Sequence, residues 1–274
     1  MSERAVFFLS DQTGVTAETL GHSLLTQFDG MAFRCVTLPF IDSEDKAREA
    51  VTRINQAAEE ESEKPIVFST LVQDELRDIL RQAEGLYLDI FDEFLAPLED
   101  ELQQKSTHIT GRAHGMSNID SYMKRIEATN FALANDDGGV SRNYEAADVI
   151  LIGVSRSGKT PTCLYLALQY GVYAANFPLT EEELERAVLP PFLLKQLHKL
   201  FGLTIAPERL RNIRQERRSL GRYSSMQQVR YELREAERLF KKYDIPYVDT
   251  TQFSVEEISS RILETKGVER RVRP

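Results

Sequence analysis

The sequence predicts an α/β protein of two domains, with an open, mostly parallel sheet in the N-terminal domain and a second α/β unit after it. Three observations support this prediction. Strand-like apolar runs alternate with helical patterns over roughly the first hundred residues, which is typical of parallel strands joined by crossover helices. A polar stretch without periodicity then interrupts the alternation. A second alternation follows, beginning with an apolar run, a glycine-rich loop and a helical pattern.

The N-terminal domain is predicted to span residues 1–105 and to contain four strands and three helices. The predicted strands are 5–10, 33–40, 65–70 and 86–90, and the predicted helices are 16–28, 43–60 and 72–85. In the second helix the apolar residues recur on one face, at Ala47, Ala50, Val51, Ile54 and Ala57. The third helical pattern stops at Gly85, a residue type that commonly ends helices.

Residues 106–145 break the alternation and are predicted to form the junction between the domains. The first part is polar and carries Gly111 and Gly115. A helix is predicted over about 118–134, followed by the turn-forming stretch NDDGG at 135–139.

The second domain is predicted to span residues 146–274. Its predicted elements are a strand at 148–154, a helix near 159–170, strands at 171–177 and 200–205, two charged helices, a strand at 245–250 and a final helix. Ser254 and Glu257 have the S-x-x-E spacing of a capping box, which places the start of that final helix.

Composition and charge disfavour several classes of protein. The chain of 274 residues has a net charge of −9, and tight binding to nucleic acid requires a basic surface. No apolar run approaches the ~20 residues of a membrane helix, and the N-terminal run lacks the cleavage site of a signal peptide. We therefore expect a cytoplasmic protein with neither a nucleic-acid partner nor a membrane contact.

The cysteines and histidines do not suggest a metal or disulfide framework. The two cysteines, Cys35 and Cys163, form no C-x-x-C pair, and the four histidines lack metal-ligand spacing. Both cysteines are expected to pack as small apolar side chains, Cys35 within a strand and Cys163 within a helix.

The glycine-rich loop GVSRSGKT at 153–160 has the G-x-x-x-x-G-K-[ST] form of a phosphate-binding loop. Gly153 and Gly158 let backbone N–H groups approach phosphates at a helix start, Lys159 adds a positive charge, and the Thr160 hydroxyl is placed to ligate Mg²⁺. The alternative is a structural strand-to-helix turn. We predict a P-loop kinase-like α/β domain with nucleotide-binding residues Gly153, Val154, Ser155, Arg156, Ser157, Gly158, Lys159 and Thr160.

Phosphoryl transfer also needs a carboxylate to orient the attacking group or to hold the metal. The apolar run before the loop contains no acidic residue in its interior, and the nearest paired carboxylates are Asp136 and Asp137. They are candidates for that role, although a turn of this composition can be purely structural.

An arginine-rich segment at 207–223 is locally positive in an acidic chain. Helical spacing places Arg211, Arg214 and Arg218 on one face. Three interpretations remain open: a lid that carries arginines to the phosphates, a patch that docks an acidic partner, or a solvated helix face.

The stretch SDQTG at 10–14 also lies between a strand and a helix. Capping of that helix by Asp11, Thr13 or Thr16 is the favoured interpretation. The alternative is a ligand site, because open α/β sheets bind ligands at the carboxyl ends of their strands.

Several long segments together resemble one known family. They are SDQTGVTAETLGH, RIEATNFALANDDG, GVSRSGKTPT, HKLFGLTIAPERLRNIRQERR and FSVEEISSRIL. In this order, over nearly the whole chain, they are similar to the bacterial phosphoenolpyruvate synthase regulatory proteins, whose wider family includes the pyruvate, phosphate dikinase regulatory proteins. The segments around LPF and LFGLTI resemble the synthase branch more closely.

The resemblance implies a bifunctional enzyme acting on phosphoenolpyruvate synthase. One activity transfers phosphate from ADP to a threonine of the synthase and inactivates it. The other uses inorganic phosphate to remove that group and releases pyrophosphate. The implied site contains Lys159 with Asp136 or Asp137 as base or metal ligand, and Mg²⁺ at Thr160. The stretch SDQTG also recurs in the family, which implies a second phosphate-handling or target-handling role for it rather than capping alone. The family also implies a homodimer.

Other functions remain open at this point. The same chemistry could act on pyruvate, phosphate dikinase. A small-molecule phosphate-loop kinase would use ATP and a metabolite without a protein acceptor. A nucleotide sensor would bind through the same loop and catalyse nothing.

Overall fold

The computed structural model describes residues 3–61, 63–107, 119–136, 143–217 and 221–272. The chain divides into two compact units, Met1–Ser117 and Asn118–Pro274. Each unit contains one four-stranded sheet in which all paired strands are parallel. The predicted α/β class is therefore confirmed.

The first unit alternates strands and helices as predicted, with one additional helix. Its elements are β1 Arg4–Leu9, α1 Val15–Leu25, β2 Phe33–Leu38, α2 Glu44–Glu60, β3 Ile66–Ser69, α3 Asp74–Leu80, β4 Leu86–Asp89 and α4 Ile90–Leu102. The sheet order is β2-β1-β3-β4. The sequence analysis missed α4, which starts directly at the end of β4, contains Pro97 and buries none of its residues.

The position of β2 at the edge of the sheet corrects the expectation for Cys35. The central strand β1 is buried from Ala5 to Leu9, whereas in β2 only Leu38 is buried. Cys35 is exposed, so the prediction that it packs in the core is wrong. A strand with a neighbour on one side only can leave part of its surface uncovered.

The loop between β1 and α1 corrects the expectation of side-chain capping. The N-cap of α1 is Gly14, with a left-handed φ of 83°, and no side chain caps this helix start. A Cβ atom at Gly14 would lie 2.7 Å from Cγ2 of Thr37, so both the conformation and the space require glycine. The N-cap residue of α1 is therefore none of the predicted Asp11, Thr13 and Thr16.

The second unit is a three-layer arrangement around its own sheet. Its elements are α5 Ile119–Ala134, β5 Val149–Gly153, α6 Lys159–Tyr170, β6 Ala174–Pro178, α7 Glu181–Arg186, α8 Pro191–Leu194, β7 Leu200–Thr204, α9 Pro207–Arg217, α10 Met226–Lys242, β8 Tyr247–Asp249 and α11 Val255–Lys266. The sheet order, β6-β5-β7-β8, repeats the relative order of the first sheet. The capping box of Ser254 and Glu257 is present as predicted.

Successive side chains of β5 belong to two different apolar cores, one on each face of the sheet. Val149 and Leu151 pack with residues of α5, α6 and α11, whereas Ile150 and Ile152 pack with residues of α7 to α10. Helix α5, which the sequence analysis placed in the junction, packs with α6 inside the second unit. The short helices α7 and α8 were not predicted. Within the described ranges, no helix is long and apolar enough to cross a lipid bilayer.

The two cysteines should differ in reactivity towards iodoacetamide. Cys163 on α6 is buried as expected, and burial, with the nearby charge of Asp136, raises the pKa of its thiol. The pKa of the Cys35 thiol is also raised, by partial burial and by Glu18, but this side chain is exposed. In mildly alkaline buffer we expect alkylation of Cys35 alone, measured by peptide mass spectrometry, because the thiolate is the reactive form.

The control is the same reaction in urea, where both cysteines should react. Labelling of Cys163 in the native protein at the rate of Cys35 would contradict the packing of α6 described above.

Candidate functional site

The glycine-rich loop joins the carboxyl end of β5 to the start of α6. Gly158, the N-cap of α6, has a left-handed φ of 95°, and Lys159 is the first helical residue. The first N–H groups of a helix have no partners within the helix, so this loop presents N–H donors to an anion. A Cβ atom at Gly153 would lie 2.4 Å from the backbone oxygen of Leu203, so no side chain fits there.

The side chain of Lys159 is folded over this loop. It is 4% exposed, and its ammonium group donates a hydrogen bond to the backbone oxygen of Val154 at 2.9 Å. The positive charge is thus held against the backbone of the loop. Arg156 has a left-handed φ of 75°, a conformation that costs a non-glycine residue about 1–2 kcal/mol.

Thr160 belongs to a polar cluster with one predicted carboxylate. The Thr160 hydroxyl donates to Oδ1 of Asp136 at 2.8 Å. The side-chain amide of Asn176 donates to the same carboxylate oxygen and to the Thr160 hydroxyl, the latter at 3.3 Å. The structure therefore brings together Thr160 and Asp136, which the sequence analysis assigned to separate motifs. Asp137, the other predicted carboxylate, lies outside the described residues.

Hydrogen bonds of Asn135 fix the end of α5 so that Asp136, the next residue, contacts Thr160. Its side-chain amide donates to Phe131 at 2.8 Å, and its side-chain oxygen accepts from the backbone of Asn143 at 2.6 Å. Its backbone oxygen accepts from the N–H of Asn176 at 3.1 Å. The sequence analysis assigned no role to this residue, and the structure gives it a structural one.

Asn176 is the member of this cluster that the sequence analysis missed. It lies in the middle of β6, paired with Leu151 of β5, and is 1% exposed. One signal was available, since an amide side chain within an otherwise apolar buried strand is unusual. The sequence of β6 alone does not show which residues Asn176 contacts.

The donor set around Thr160 fits a hard cation bound together with phosphates. Mg²⁺ takes oxygen ligands and is commonly held by one or two protein groups together with substrate phosphates. Across the described ranges, no group of three or more His, Cys, Asp or Glu side chains could hold a metal ion. The hydroxyl of Thr160 and the carboxylate of Asp136 are the residues that could hold Mg²⁺ here.

Arg214 fixes the other side of the loop from within the protein core. Its side chain is fully buried and pairs with Glu232 of α10 at 2.6 Å. The same guanidinium donates to the backbone oxygen of Ser155 at 3.1 Å and to that of Tyr223 at 2.9 Å. Arg214 therefore holds the backbone of the loop from the interior of the second unit.

The burial of Arg214 excludes all three interpretations of the arginine-rich segment for this residue. A fully buried arginine is neither part of a mobile lid nor a solvated helix face, nor does it dock a partner. Arg211 on the same helix is exposed, and Arg218 lies outside the described residues.

Two further contacts fix the loop. The Tyr223 hydroxyl donates to the side chain of Ser155 at 3.0 Å, and the Arg214 guanidinium lies 4.2 Å from the centre of the Tyr223 ring. From the end of β8, the Thr250 hydroxyl donates to the backbone oxygen of Ser157 at 3.3 Å. The loop is thus held in one shape, which lowers the cost of ordering it around a ligand.

Comparison with known proteins identifies relatives along nearly the full length. A family model described as kinase/pyrophosphorylase matches residues 6–263. A protein of Stutzerimonas stutzeri strain A1501 is 55% identical over 271 residues, which cover 99% of this chain and all of that protein. A protein of Marinobacter nauticus is 55% identical over 268 residues, covering 98% of this chain and 99% of its own. Both carry the name of a proposed phosphoenolpyruvate synthase regulatory protein.

Replacement of the buried arginine should destabilise the second unit. Arg214→Met leaves Glu232 buried without its cation, and breaking such a pair costs about 3–5 kcal/mol of unfolding free energy. The measurement is urea unfolding followed by circular dichroism. Adding Glu232→Leu should recover much of the loss, because neither charge then remains buried.

The matched control is Arg211→Met, an exposed arginine on the same helix, which should change stability by no more than about 0.5 kcal/mol. Equal stability of the Arg214 and Arg211 variants would contradict the role of Arg214 as a buried ion-pair partner. The lid interpretation would then apply again.

Proposed function

Because the chain belongs to the kinase/pyrophosphorylase family, we propose that it regulates phosphoenolpyruvate synthase by phosphorylating and dephosphorylating it. In one direction a threonine of the synthase receives phosphate from ADP and the synthase is inactivated. In the other, inorganic phosphate removes that group, pyrophosphate is released and activity returns. The family match spans both units, and the relatives' names support the choice of target.

One structural observation supports phosphoryl transfer above all. The buried ammonium of Lys159 and the Thr160–Asp136 pair lie at the same strand end, beside the N–H groups of a helix start. Phosphoryl transfer depends mainly on positioning and on neutralising the charge of the transferring group. This arrangement combines a positive charge and N–H donors of the loop with two oxygen groups that could hold a cation, one at the start of α6 and one following α5.

In the kinase direction, the threonine oxygen of the target attacks the β-phosphorus of ADP. The bond from that phosphorus to the bridging oxygen breaks, AMP leaves, and the threonine proton passes to a base. Lys159 and the loop N–H groups stabilise the negative charge on the two phosphates. The cation supplies further charge neutralisation when bound. Asp136 orients the Thr160 hydroxyl, and Asp136 or Asp137 accepts the proton.

In the reverse direction, an oxygen of inorganic phosphate attacks the phosphorus of phosphothreonine. The bond between that phosphorus and the threonine oxygen breaks, the threonine regains a proton, and pyrophosphate leaves. ADP and pyrophosphate both contain two linked phosphates. One loop can therefore stabilise the charged unit of both reactions.

The test is a transfer assay with purified phosphoenolpyruvate synthase. ADP or ADP-free ATP, each labelled in its terminal phosphate, is offered with Mg²⁺ and with pyruvate to expose the target site. We expect label on a synthase threonine from ADP alone, and release of labelled pyrophosphate when inorganic phosphate is then added.

Other outcomes identify other functions. Label on pyruvate, phosphate dikinase but not on the synthase would transfer the proposal to that target. ATP turnover with a metabolite and no labelled protein would indicate a small-molecule kinase. Nucleotide binding without any transfer would indicate a sensor.

Removal of the loop lysine should abolish both activities and leave the fold intact. Lys159→Ala removes the charge that faces the phosphates, so we expect loss of labelled synthase in the kinase assay and loss of pyrophosphate release in the reverse assay. Circular dichroism and thermal unfolding verify that the variant is folded. The control is Lys241→Ala, an exposed lysine at the end of α10, which should retain both activities. An active Lys159→Ala protein would remove this loop from the mechanism.

A further inference from the structure

The strand next to the phosphate loop carries a buried polar residue in an apolar setting. β6 has the sequence AANFP, and Ala174, Ala175, Asn176 and Phe177 are all buried. Asn176 occurs on the side of the sheet that packs against α5 and α6, where its neighbours on β5 and β6 are Val149, Leu151 and Ala174.

An asparagine at this position is unfavourable for the fold alone. Asparagine is depleted in strands, and burying an amide without full hydrogen bonding costs about 1–3 kcal/mol relative to an apolar side chain. Residues that break the local rules of a buried strand are concentrated at functional sites, where another advantage offsets their cost. The contacts of Asn176 indicate what that advantage is.

The side-chain amide nitrogen of Asn176 contacts both predicted cation ligands. It donates to Oδ1 of Asp136 and to the hydroxyl oxygen of Thr160, while Thr160 donates to that same carboxylate oxygen at 2.8 Å. These three side chains thus form a closed triangle of hydrogen bonds. The amide fixes the orientation of the carboxylate and of the hydroxyl together.

The other end of the same amide is an unused acceptor. The side-chain oxygen of Asn176 is buried and has no hydrogen-bond partner among the described residues. A buried acceptor without a partner is costly, and such atoms in folded proteins commonly pair with water or a ligand. In this cluster a water molecule bound to a cation could supply that donor.

We propose that Asn176 is a positioning residue of the magnesium–nucleotide site. Its N–H group holds the Asp136 carboxylate against the Thr160 hydroxyl, and its side-chain oxygen accepts a hydrogen bond from a water molecule on the cation. The inference rests on the proposed function, because it requires a nucleotide bound with a divalent cation at this loop.

A purely structural role makes a different prediction. If Asn176 only tied β6 to the end of α5, its loss would lower stability and would weaken nucleotide binding equally with and without a cation. A positioning role weakens the cation-dependent part of binding selectively. Outer residues that orient metal ligands typically contribute tenfold to a hundredfold in metal affinity.

The first experiment measures Mn²⁺ binding in the presence of ADP by electron paramagnetic resonance, with ADP binding in EDTA measured by calorimetry. For Asn176→Ala and Asn176→Val we expect Mn²⁺ affinity to fall about tenfold to a hundredfold. ADP affinity in EDTA should stay within about twofold of wild type, because Lys159 and the loop remain in place. Ser259→Ala, which removes a buried polar atom of α11 outside the cluster, is the matched control and should bind Mn²⁺ as wild type.

A double-mutant cycle tests whether Asn176 acts through Asp136. Asp136→Ala should weaken Mn²⁺ binding by itself, and adding Asn176→Ala should weaken it less than Asn176→Ala does in the wild-type protein, because one of the two groups that the amide orients is already gone. Independent losses that multiply would overturn the positioning role.

A measurement on the wild-type protein covers the case in which the Asn176 variants do not fold. In protein labelled with ¹⁵N-asparagine, the side-chain amide signal of Asn176 should broaden beyond detection on addition of Mn²⁺ and ADP. A signal that remains sharp while Mn²⁺–ADP is bound overturns the inference and leaves the proposed function intact. Failure of the wild-type protein to bind Mn²⁺–ADP at all overturns both.

Discussion

The glycine-rich loop at residues 153–160 depends on the close approach of its first glycine to the neighbouring strand. A Cβ atom at Gly153 would lie 2.4 Å from the backbone of β7, so only a glycine allows the chain to leave β5 in this direction. The remaining contacts then fix the loop from several elements. Arg214 binds it from α9, Thr250 from the end of β8, and Asp136 from the end of α5. The N–H groups at the start of α6 are therefore presented in a preorganised shape, which favours binding of an anion.

Comparison of the two units explains why the chemistry is proposed for the second. Their sheets have the same strand order, and in each the first strand is followed by five residues, 10–14 and 154–158, before the next helix. Both helices begin after a left-handed glycine, Gly14 and Gly158. The next residue is Val15 in the first unit and Lys159 in the second, so the positive charge needed to stabilise transferring phosphates occurs in the second loop.

Local sequence patterns predicted most of the fold and the position of the glycine-rich loop between a strand and a helix. Strands and helices with clear periodicity were identified, and the spacing of glycines, lysine and threonine located the loop. The contact between Thr160 and Asp136 was not predicted, because Asp136 is 24 positions away and reaches Thr160 only through the packing of α5 on α6. Helical spacing placed Arg214 on a face but could not say that this face is buried, since its counterion Glu232 belongs to another helix. Asn176 was missed because its partners come from two other elements.

The most direct measurement is a crystal structure of the protein with ADP and Mg²⁺. The account predicts the β-phosphate of ADP within hydrogen-bonding distance of the Lys159 ammonium and of the N–H groups at the start of α6. It also predicts the cation in contact with the Thr160 hydroxyl and close to Asp136. Nucleotide bound away from the loop of residues 153–160, or a cation held by other residues while this cluster stays unchanged, would contradict the account.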